Sequence, residues 1–557
     1  VRKLYGPEIS ELLPFNPTNH PWLDLSQELP NFETPIHSTN NTADGGEEGV
    51  TTIAPDPYHS LTVDPLQYQM VPYYQAEVVL YHPSFHRRVY LSPTEAVNLP
   101  PLASHSLPSG RGYVLNTGVP LWGLDWRCDY QSNGSTEYLA TGGFSRENHP
   151  LRSTAIGVRQ PANPGAILIW EMSTQNLENS SSEVGNKPRV ALALLHEYGN
   201  VMDLQWAPVY FPKGSQSKPR REKQNSADVN HLGVLAATFG DGRLVVFLVP
   251  HPTSLSQLKG GSITKDSPEP YLNPYFHSGE IPPPACLVRL PILLTCQHPN
   301  KLYHSIHWGN ATTLAVGASD GTISVWDLRQ AIHRWSSSQS SSEGEEEQKV
   351  KGRLPSLPLF EVKAHDSLVR QVALRPHCTL LLSAPSTDLH QLPTDILSSG
   401  DDGHAMLTRV DDPEFPLSVA SQRRPTLSIR WNGSGDSFLC SVHHNNVRAI
   451  QYHELGSSGR LFSSRSTVWD VATSFHHPFV ASACSNGTIV ISNVNNVLQL
   501  GKKGHRLFER HVYTTHWDYN EDFYVFEDQH LPIMGLSRGD TQDIHQHISA
   551  PPVAAHR

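Results

Sequence analysis

The sequence lacks several features by which common classes of protein are recognised. Its six cysteines include no Cys-x-x-Cys pair, which argues against a zinc ribbon or a dense disulfide framework. The longest apolar stretches are interrupted, as by Arg289 and Pro291 between Cys286 and Cys296, so none reaches the ~18 apolar residues that span a membrane. Apolar residues are 38% of the 557, fewer than the roughly 45–50% of a compact domain. We therefore expect no membrane association, and long loops or tails.

Motifs of the common enzyme classes are also missing. The sequence contains no GxxxxGK[ST] phosphate loop and no HExxH zinc motif, and no GxGxxG lies between a strand and a helix. Gly317–Gly321 matches GxSxG, but strand-like residues follow it, whereas a nucleophile elbow leads into a helix. We therefore predict that Ser319 flanks a hairpin turn. The chain is predicted not to be an enzyme and to have no cofactor, metal site or small-molecule substrate.

A short pattern recurs seven times along the chain. It consists of an apolar residue, a second apolar residue three positions later, and a third, usually tryptophan, two positions after that; we call it the triplet. Its copies are LWGLDW (121–126), VMDLQW (201–206), YHSIHW (303–308), VRQVAL (369–374), TLSIRW (426–431), VWDVAT (468–473) and VYTTHW (512–517). The last two intervals between copies, 42 and 44 residues by subtraction of their end positions, match the ~40–45 residues of a four-stranded propeller blade.

A turn signal falls in phase with the triplet. Asp-Gly or Asn-Gly lies between two strand-like runs at Gly242, Gly321, Gly403 and Gly487. Two-residue hairpins require positive φ at the turn, which glycine and asparagine tolerate best. Four such turns in phase with the triplets predict hairpins inside blades.

Together these patterns predict an all-β fold, a seven-bladed WD40-type β-propeller with blades starting near 120, 195, 300, 366, 424, 466 and 510. Because little sequence follows the seventh copy, we expect N-terminal strands around 77–82 and 113–117 to complete the last blade and close the ring. A β-sandwich with appendages is the alternative, but it does not explain seven in-phase triplets.

The remaining sequence divides into a tail, a closing segment and insertions. Residues 1–70 are rich in Pro, Asn and Ser, and the first 50 carry eight acidic and two basic side chains, so we predict a mostly disordered tail. Residues 71–118 are assigned to the ring-closing strands and 119–550 to the propeller. Polar insertions are expected near 173–189, 212–230, 251–284, 331–358 and 384–396.

The formal net charge of the chain is −11. This acidity indicates that most of the surface does not bind the phosphates of nucleic acid. Two local basic runs could nevertheless contact phosphates without reading sequence; a solvated loop is the alternative for both. Their members are Lys213, Lys218, Arg220, Arg221 and Lys223 in one insertion, and Lys502, Lys503 and Arg506 before the seventh copy.

Several segments resemble a known family. The second blade of the WD-repeat subunit of transcription factor IIIC resembles GNVMDLQWAP (199–208) together with LGVLAATFGDGRLVVFLVPHP (232–252). Other parts of that subunit resemble, in the same order, VPLWGLDW (119–126), HWGNATTLAVGASDGTISVWDL (307–328) and AHDSLVRQVALRP (364–376). The resemblance covers about residues 115–410 well. Thr473 and Thr515 depart from the pattern, which puts the packing of the last two blades in doubt.

The resemblance implies a nuclear, non-catalytic scaffold. Its partners would be a second propeller subunit and the largest subunit, in the module that recognises the internal B-box promoter of transfer-RNA genes for RNA polymerase III. DNA would be contacted through the complex. We expect Phe15 and Trp22 of the tail to serve as aromatic anchors for a partner, so that deleting residues 1–70 leaves a folded ring without its partner.

Two other functions stay open. Trp326-Asp327-Leu328-Arg329 matches the WDxR of substrate receptors of cullin-type ubiquitin ligases, in which Trp326 and Arg329 would face the adaptor. The alternative is that Trp326 ends a blade strand and Arg329 is a solvated flank. A propeller that reads histone peptides through its central channel is the second possibility; it requires an acidic, aromatic-lined channel mouth.

Overall fold

The computed structural model describes residues 68–71, 88–92, 95–107, 112–127, 136–144, 158–208, 231–255, 286–329, 358–376, 394–494, 509–518 and 523–528, except for 162, 174–186, 253–254, 311, 434, 443–444, 456–457 and 475–477. The described residues form strands, and no helix among them has the length and apolar character needed to cross a membrane.

The first eighteen strands lie before residue 364. They are β1 (Gln69–Met70), β2 (Arg88–Ser92), β3 (Glu95–Asn98), β4 (Ser104–Ser106), β5 (Tyr113–Leu115), β6 (Leu121–Trp126), β7 (Thr136–Gly143), β8 (Gly165–Ser173), β9 (Arg189–His196), β10 (Val201–Trp206), β11 (His231–Phe239), β12 (Leu244–Pro250), β13 (Cys286–Arg289), β14 (Ile292–Cys296), β15 (Tyr303–Trp308), β16 (Thr313–Ala318), β17 (Thr322–Asp327) and β18 (Phe360–Lys363).

The remaining strands run to residue 528. They are β19 (Val369–Leu374), β20 (Asp395–Gly400), β21 (His404–Arg409), β22 (Leu417–Ser421), β23 (Ile429–Trp431), β24 (Ser437–Val442), β25 (Asn446–Gln451), β26 (Ser458–Ser463), β27 (Val468–Thr473), β28 (Phe479–Cys484), β29 (Thr488–Asn493), β30 (Glu509–Asp518) and β31 (Phe523–Asp528).

Six antiparallel four-stranded units, the blades, account for most of these strands. In chain order they are β6–β9, β10–β12 with β14, β15–β18, β19–β22, β23–β26 and β27–β30. The first strand of each blade carries one of the first six triplets, and the first strands of successive blades contact one another from β6 to β27. The all-β, WD40-type propeller architecture predicted from the sequence is confirmed.

The seventh triplet has a different position from the other six. It lies on β30, which pairs with β29 as the fourth strand of the sixth blade, Thr514 opposite Thr488. The third blade has the same register, with Lys363 of its fourth strand opposite Thr322. Within the described residues, therefore, the copy at 512–517 does not begin a seventh blade as expected.

Strands from the two ends of the described chain share a sheet. β31 pairs antiparallel with β30, β2 pairs parallel with β31, and β3 pairs with β2, so the sixth blade continues outward as a seven-stranded sheet. The closing strands expected around 77–82 lie outside the described residues. Those expected at 113–117 contain β5, which forms a hairpin with β4 instead of joining the last blade.

The first blade also gains strands that are distant in sequence. In sequence, β13 lies between β12 and β14 of the second blade, but it pairs parallel with β9 of the first blade. β1 in turn pairs antiparallel with β13. β1 falls within the last residues of the predicted tail, whose residues 1–67 lie outside the described part.

The four predicted hairpin glycines all adopt positive φ, between 76° and 87°: Gly242, Gly321, Gly403 and Gly487. Each lies between the second and third strands of its blade. The turn also contacts the fourth strand or the residue that follows it, because Gln422 N donates to Gly403 O at 3.0 Å and Thr515 N donates to Gly487 O at 2.9 Å. The second contact is further support for β30 as a fourth strand. Ser319 precedes the turn at Gly321, as expected.

Candidate interaction surfaces

The polar residues of the first strands connect neighbouring blades. They occupy the third and fifth positions of the triplet hexamers and accept hydrogen bonds from backbone N–H groups of the next first strand. The acceptors, which we call the acceptor ring, are Asp125, Asp203, Gln205, His307, Gln371 and Ser428.

The register of these bonds is regular. A third-position acceptor binds the middle triplet residue of the next strand, as Asp203 Oδ2 accepts from Ile306 N at 2.9 Å. A fifth-position acceptor binds the last triplet residue, as Asp125 Oδ2 accepts from Trp206 N at 2.7 Å. Each bond satisfies an N–H at the inner edge of a blade, where no further strand can pair with it. The acceptor ring therefore fixes the register between blades.

The inner strands carry more negative than positive charge. Burial raises the pKa of Asp125 to about 7, partly countered by the Trp206 N–H, and burial likewise raises the pKa of Asp203 to about 7. Arg430 is the cation that acts on both carboxyls. Burial lowers the pKa of His307 to about 3, so this side chain is neutral and accepts from Leu374 N through Nδ1, at 3.2 Å.

An Asp–His–Ser arrangement occurs at the start of the fourth blade. His365 Nδ1 lies 3.0 Å from Asp402 Oδ2, and His365 Nε2 lies 2.8 Å from Ser398 Oγ. The order of groups resembles a hydrolase triad, but the Ser398 side chain has no exposed surface, so a substrate cannot reach its hydroxyl. This network connects the loop before the blade to its second strand and its turn. In the described ranges no group of three His, Cys, Asp or Glu side chains is placed to hold a metal ion.

One first strand differs from the others in its exposure. Leu121, Leu124 and Trp126 of β6 are 37%, 56% and 42% exposed. Their counterparts in the second blade, Val201 and Leu204, are 1% and 2% exposed, because they pack against the first blade, beside Gly142 and Gly123. The triplet side chains of β6 are therefore more exposed than those of the second blade.

The WDxR residues occupy two different environments. Trp326 is 4% exposed and belongs to the core between the second and third blades, so it presents almost no surface to a partner. Arg329 is half-buried, and its Nε and Nη2 atoms donate to Asp327 Oδ2 at 2.8 and 2.6 Å. Of the two, only Arg329 reaches the surface, and its role as an adaptor contact stays a prediction.

The other predicted contacts lie outside the described residues. These are the tail residues Phe15 and Trp22, and the basic residues Lys213, Lys218, Arg220, Arg221, Lys223, Lys502, Lys503 and Arg506. Their roles therefore stay predictions.

The acceptor ring was not predicted from the sequence, although a signal for it is present. Polar residues able to accept hydrogen bonds recur at the third and fifth positions of the triplets, where a strand alternates its faces. The exposure of the β6 triplet has no such signal, since its residues are of the same type as those buried elsewhere.

Comparisons with known proteins agree with the fold and the resemblance. The family model described as WD domain, G-beta repeat matches residues 456–491, from just before β26 into β29. Over 452 residues, 80% of this chain, the sequence is 24% identical to transcription factor tau subunit sfc6 of Schizosaccharomyces pombe, 61% of which is covered. A stretch of 143 residues, 25% of the chain, is 29% identical to general transcription factor 3C polypeptide 2 of Homo sapiens and of Pongo abelii, 14% of which is covered. The chain thus spans about three fifths of the first relative and about a seventh of the others.

Proposed function

Because this chain is a WD40-containing homologue of transcription factor tau subunit sfc6 and of general transcription factor 3C polypeptide 2, we propose that it is a non-catalytic scaffold subunit of transcription factor IIIC. The observation that carries the proposal is similarity along 80% of the chain, far more than one repeat covers. It acts in the nucleus, in transcription by RNA polymerase III.

The proposed partners are the other subunits of the factor. A second propeller subunit and the largest subunit would pack against this chain in the module that recognises the B-box. A ring of rigid blades suits this role, since its faces and rim hold several partners in fixed positions without a reaction centre. DNA contact occurs through the complex, and phosphate contacts by the two basic runs remain part of the proposal.

The test is affinity purification of the tagged full chain from nuclear extract, followed by mass spectrometry and by mapping of the bound chromatin. Other subunits of the factor and transfer-RNA genes are expected to be enriched. Recovery of a cullin adaptor in their place would contradict the proposal. If Arg329→Ala then abolished binding of the adaptor, the chain would be identified as a ligase receptor. Arg409→Ala, which removes an exposed arginine paired with Asp411, is the matched control.

The tail and the basic runs are tested in the same purified complex. Deleting residues 1–67, which spares β1, is expected to release the partner that Phe15 and Trp22 anchor while the propeller stays folded. Neutralising the basic residues between 213 and 223 is expected to reduce the dependence of DNA affinity on salt; an unchanged slope removes this run from the interface.

A further inference from the structure

The connection between β21 and β22 of the fourth blade carries an exposed aromatic side chain. Phe415 is 75% exposed, more than any other large apolar side chain in the described part of the chain. It does not join either of the described apolar clusters that the fourth blade shares with its neighbours. We define the aromatic loop as residues 412–417, which are the end of this connection and the first residue of β22.

A second apolar side chain of the aromatic loop is exposed at a position where other blades avoid it. Leu417, the first residue of β22, lies opposite the buried Leu407 but is itself 51% exposed. In the second and third blades the first residue of the fourth strand, Ile292 or Phe360, is half-buried against an apolar cluster. In the fifth blade it is Ser458. Neighbouring exposed apolar side chains of this kind mark an interaction site.

The backbone around the exposed aromatic residue is restrained. Pro413 and Pro416 lie on either side of Phe415, and each proline fixes its φ near −65°. At the start of the connection, Val410 N donates to Thr394 O at 2.9 Å, which ties it to the residue before β20. Because the loop is restrained before binding, little conformational entropy is lost when Phe415 is placed in a partner.

The charge of the aromatic loop indicates what kind of surface it binds. Asp412 and Glu414 are exposed on either side of Pro413. Arg409 Nη2 donates to Asp411 Oδ2 at 3.0 Å, so the arginine at the end of β21 is engaged with a different carboxylate. Two negative charges beside an apolar side chain repel phosphate groups and attract lysine and arginine. Charge complementarity therefore favours a protein surface with basic residues.

We propose that the aromatic loop docks on a partner protein that offers an apolar pocket with lysine or arginine at its rim. Phe415 enters the pocket, Leu417 lies against its wall, and Asp412 and Glu414 pair with the basic rim. An aromatic side chain in a pocket contributes most of the affinity, while the rim charges set orientation and association rate. The proposal deepens the proposed function and rests on it for the identity of the partner, which is then another subunit of the factor.

Site-specific photocrosslinking tests the proposal in the assembled complex. The full chain carries p-benzoylphenylalanine in place of Phe415, which keeps an aromatic group at the site, and the crosslinked peptides are identified by mass spectrometry. The expected product joins residue 415 to another polypeptide. A crosslink to a peptide of this chain, or to nucleic acid, overturns the proposal.

The control photoprobe occupies an exposed apolar position at the other end of the blades. Val158 is 60% exposed and lines a pocket with Gly240, next to the hairpin turn at Gly242. The aromatic loop lies at the end of β21 away from the corresponding turn at Gly403. A crosslinking yield at residue 415 no higher than at residue 158 would also overturn the proposal.

Truncation of the aromatic side chain provides an independent measurement. Phe415→Ser is expected to leave the thermal unfolding of the isolated full chain unchanged and to weaken binding to the purified crosslinked protein about tenfold or more. Phe438→Ser, at a fully buried position of the fifth blade, is expected to lower the unfolding midpoint by several degrees. If Phe415→Ser destabilises the isolated chain as strongly, the chain itself covers Phe415 and the proposal is wrong.

A charge-reversal pair tests the basic rim. Glu414→Lys is expected to weaken the same binding about fivefold at low salt, with a smaller effect at high salt because the charges are then screened. Glu454→Lys is the matched control, since Glu454 is exposed in the connection between β25 and β26, the corresponding place in the fifth blade. Equal effects of the two variants, or tighter binding by Glu414→Lys, would contradict a basic rim.

The two proposals fail in distinguishable ways. If the complex contains the subunits of transcription factor IIIC but residue 415 does not crosslink to any of them, the docking site is wrong and the proposed function stands. If those subunits are missing and residue 415 crosslinks to an unrelated protein whose binding Glu414→Lys weakens, the docking site stands and the proposed function is wrong.

Discussion

His365 and Asp402 are joined by a 3.0 Å contact between Nδ1 and Oδ2, which connects the end of the third blade to the turn inside the fourth. Asp402 also accepts from the N–H groups of Asp366 and His404, each at 3.0 Å. Burial raises the pKa of Asp402, but these N–H groups and His365 outweigh it, so that the pKa lies below its ordinary value. A single carboxylate thus satisfies three groups in two blades.

Asp402→Ala is therefore expected to be one of the more destabilising substitutions in the fourth blade. Three donors lose their acceptor, namely the N–H groups of Asp366 and His404 and Nδ1 of the buried His365. Their loss costs about 2–4 kcal/mol of unfolding free energy. Chemical denaturation of the full chain measures the loss. The matched control is Asp411→Ala, whose carboxylate is exposed and pairs with Arg409; its effect should stay within about 0.5 kcal/mol. Equal losses in the two variants would contradict the assigned network.

His307→Gln is expected to weaken the acid sensitivity of the propeller. His307 has a pKa of about 3 in the fold, lowered by burial, against about 6.5 in the unfolded chain. Below pH 6.5 the unfolded chain therefore binds a proton that the folded chain does not, and stability falls as the pH decreases. Glutamine keeps the acceptor for Leu374 N, as Gln205 and Gln371 do for the neighbouring strands.

The measurement is the unfolding free energy at pH 7.5 and pH 5. Wild type and His307→Gln should be similar at pH 7.5, whereas the variant should be the more stable at pH 5 by up to about 2 kcal/mol. A constant difference across this range would show that His307 does not titrate as its burial requires.

Asp203→Asn is expected to act in the opposite pH range. Burial raises the pKa of Asp203 to about 7 in the folded chain, against about 3.9 in the unfolded chain. At any pH above about 3.9, ionisation of Asp203 therefore favours the unfolded chain. The destabilisation is absent below about pH 4, increases with pH, and is complete above about pH 7. Asparagine keeps the oxygen that accepts from Ile306 N and removes the charge.

The increase in unfolding free energy caused by Asp203→Asn should grow from near zero at pH 4 to on the order of 2 kcal/mol at pH 8, allowing for solvent screening. Asp411→Asn serves as the control for removal of one negative charge at an exposed position. A loss of stability at pH 8 would mean that the carboxylate is needed in its ionised form.

Gly487→Ala tests the position of β30. Gly487 has a φ of +76°, and a Cβ atom there would overlap with Thr515 O. Alanine at this position is therefore disfavoured both by its backbone conformation and by the clash with the fourth strand. Together these lower the unfolding free energy by roughly 2 kcal/mol or more. Gly233→Ala is the control, because its Cβ would meet Trp206 at an ordinary 3.5 Å. If β30 does not lie against the turn, Gly487→Ala should cost only the conformational part, about 1 kcal/mol.

The sequence predicts the inner strands and hairpins of this fold because they are local features. A triplet specifies a strand with one large apolar face, and Asp-Gly specifies its turn, so six first strands and four hairpins follow from the pattern. Neither specifies which sheet edge a strand joins. VYTTHW therefore resembles a first strand although it pairs as a fourth, and the short strand β13 pairs with β9, some ninety residues earlier in the chain. The exposure of the β6 triplet could likewise not be predicted from the sequence, since exposure depends on what packs opposite a strand.

The parallel pairing of β2 with β31 also constrains the order of folding. During synthesis, β2 emerges from the ribosome more than four hundred residues before the strand with which it pairs. The early blades can form locally as they appear, but the last sheet cannot be completed until β31 has been synthesised, and until then β2 has an unpaired edge. Because β2 and β3 can complete their sheet only after β31 has formed, we expect either a slow final step in refolding or a chaperone that holds these N-terminal strands.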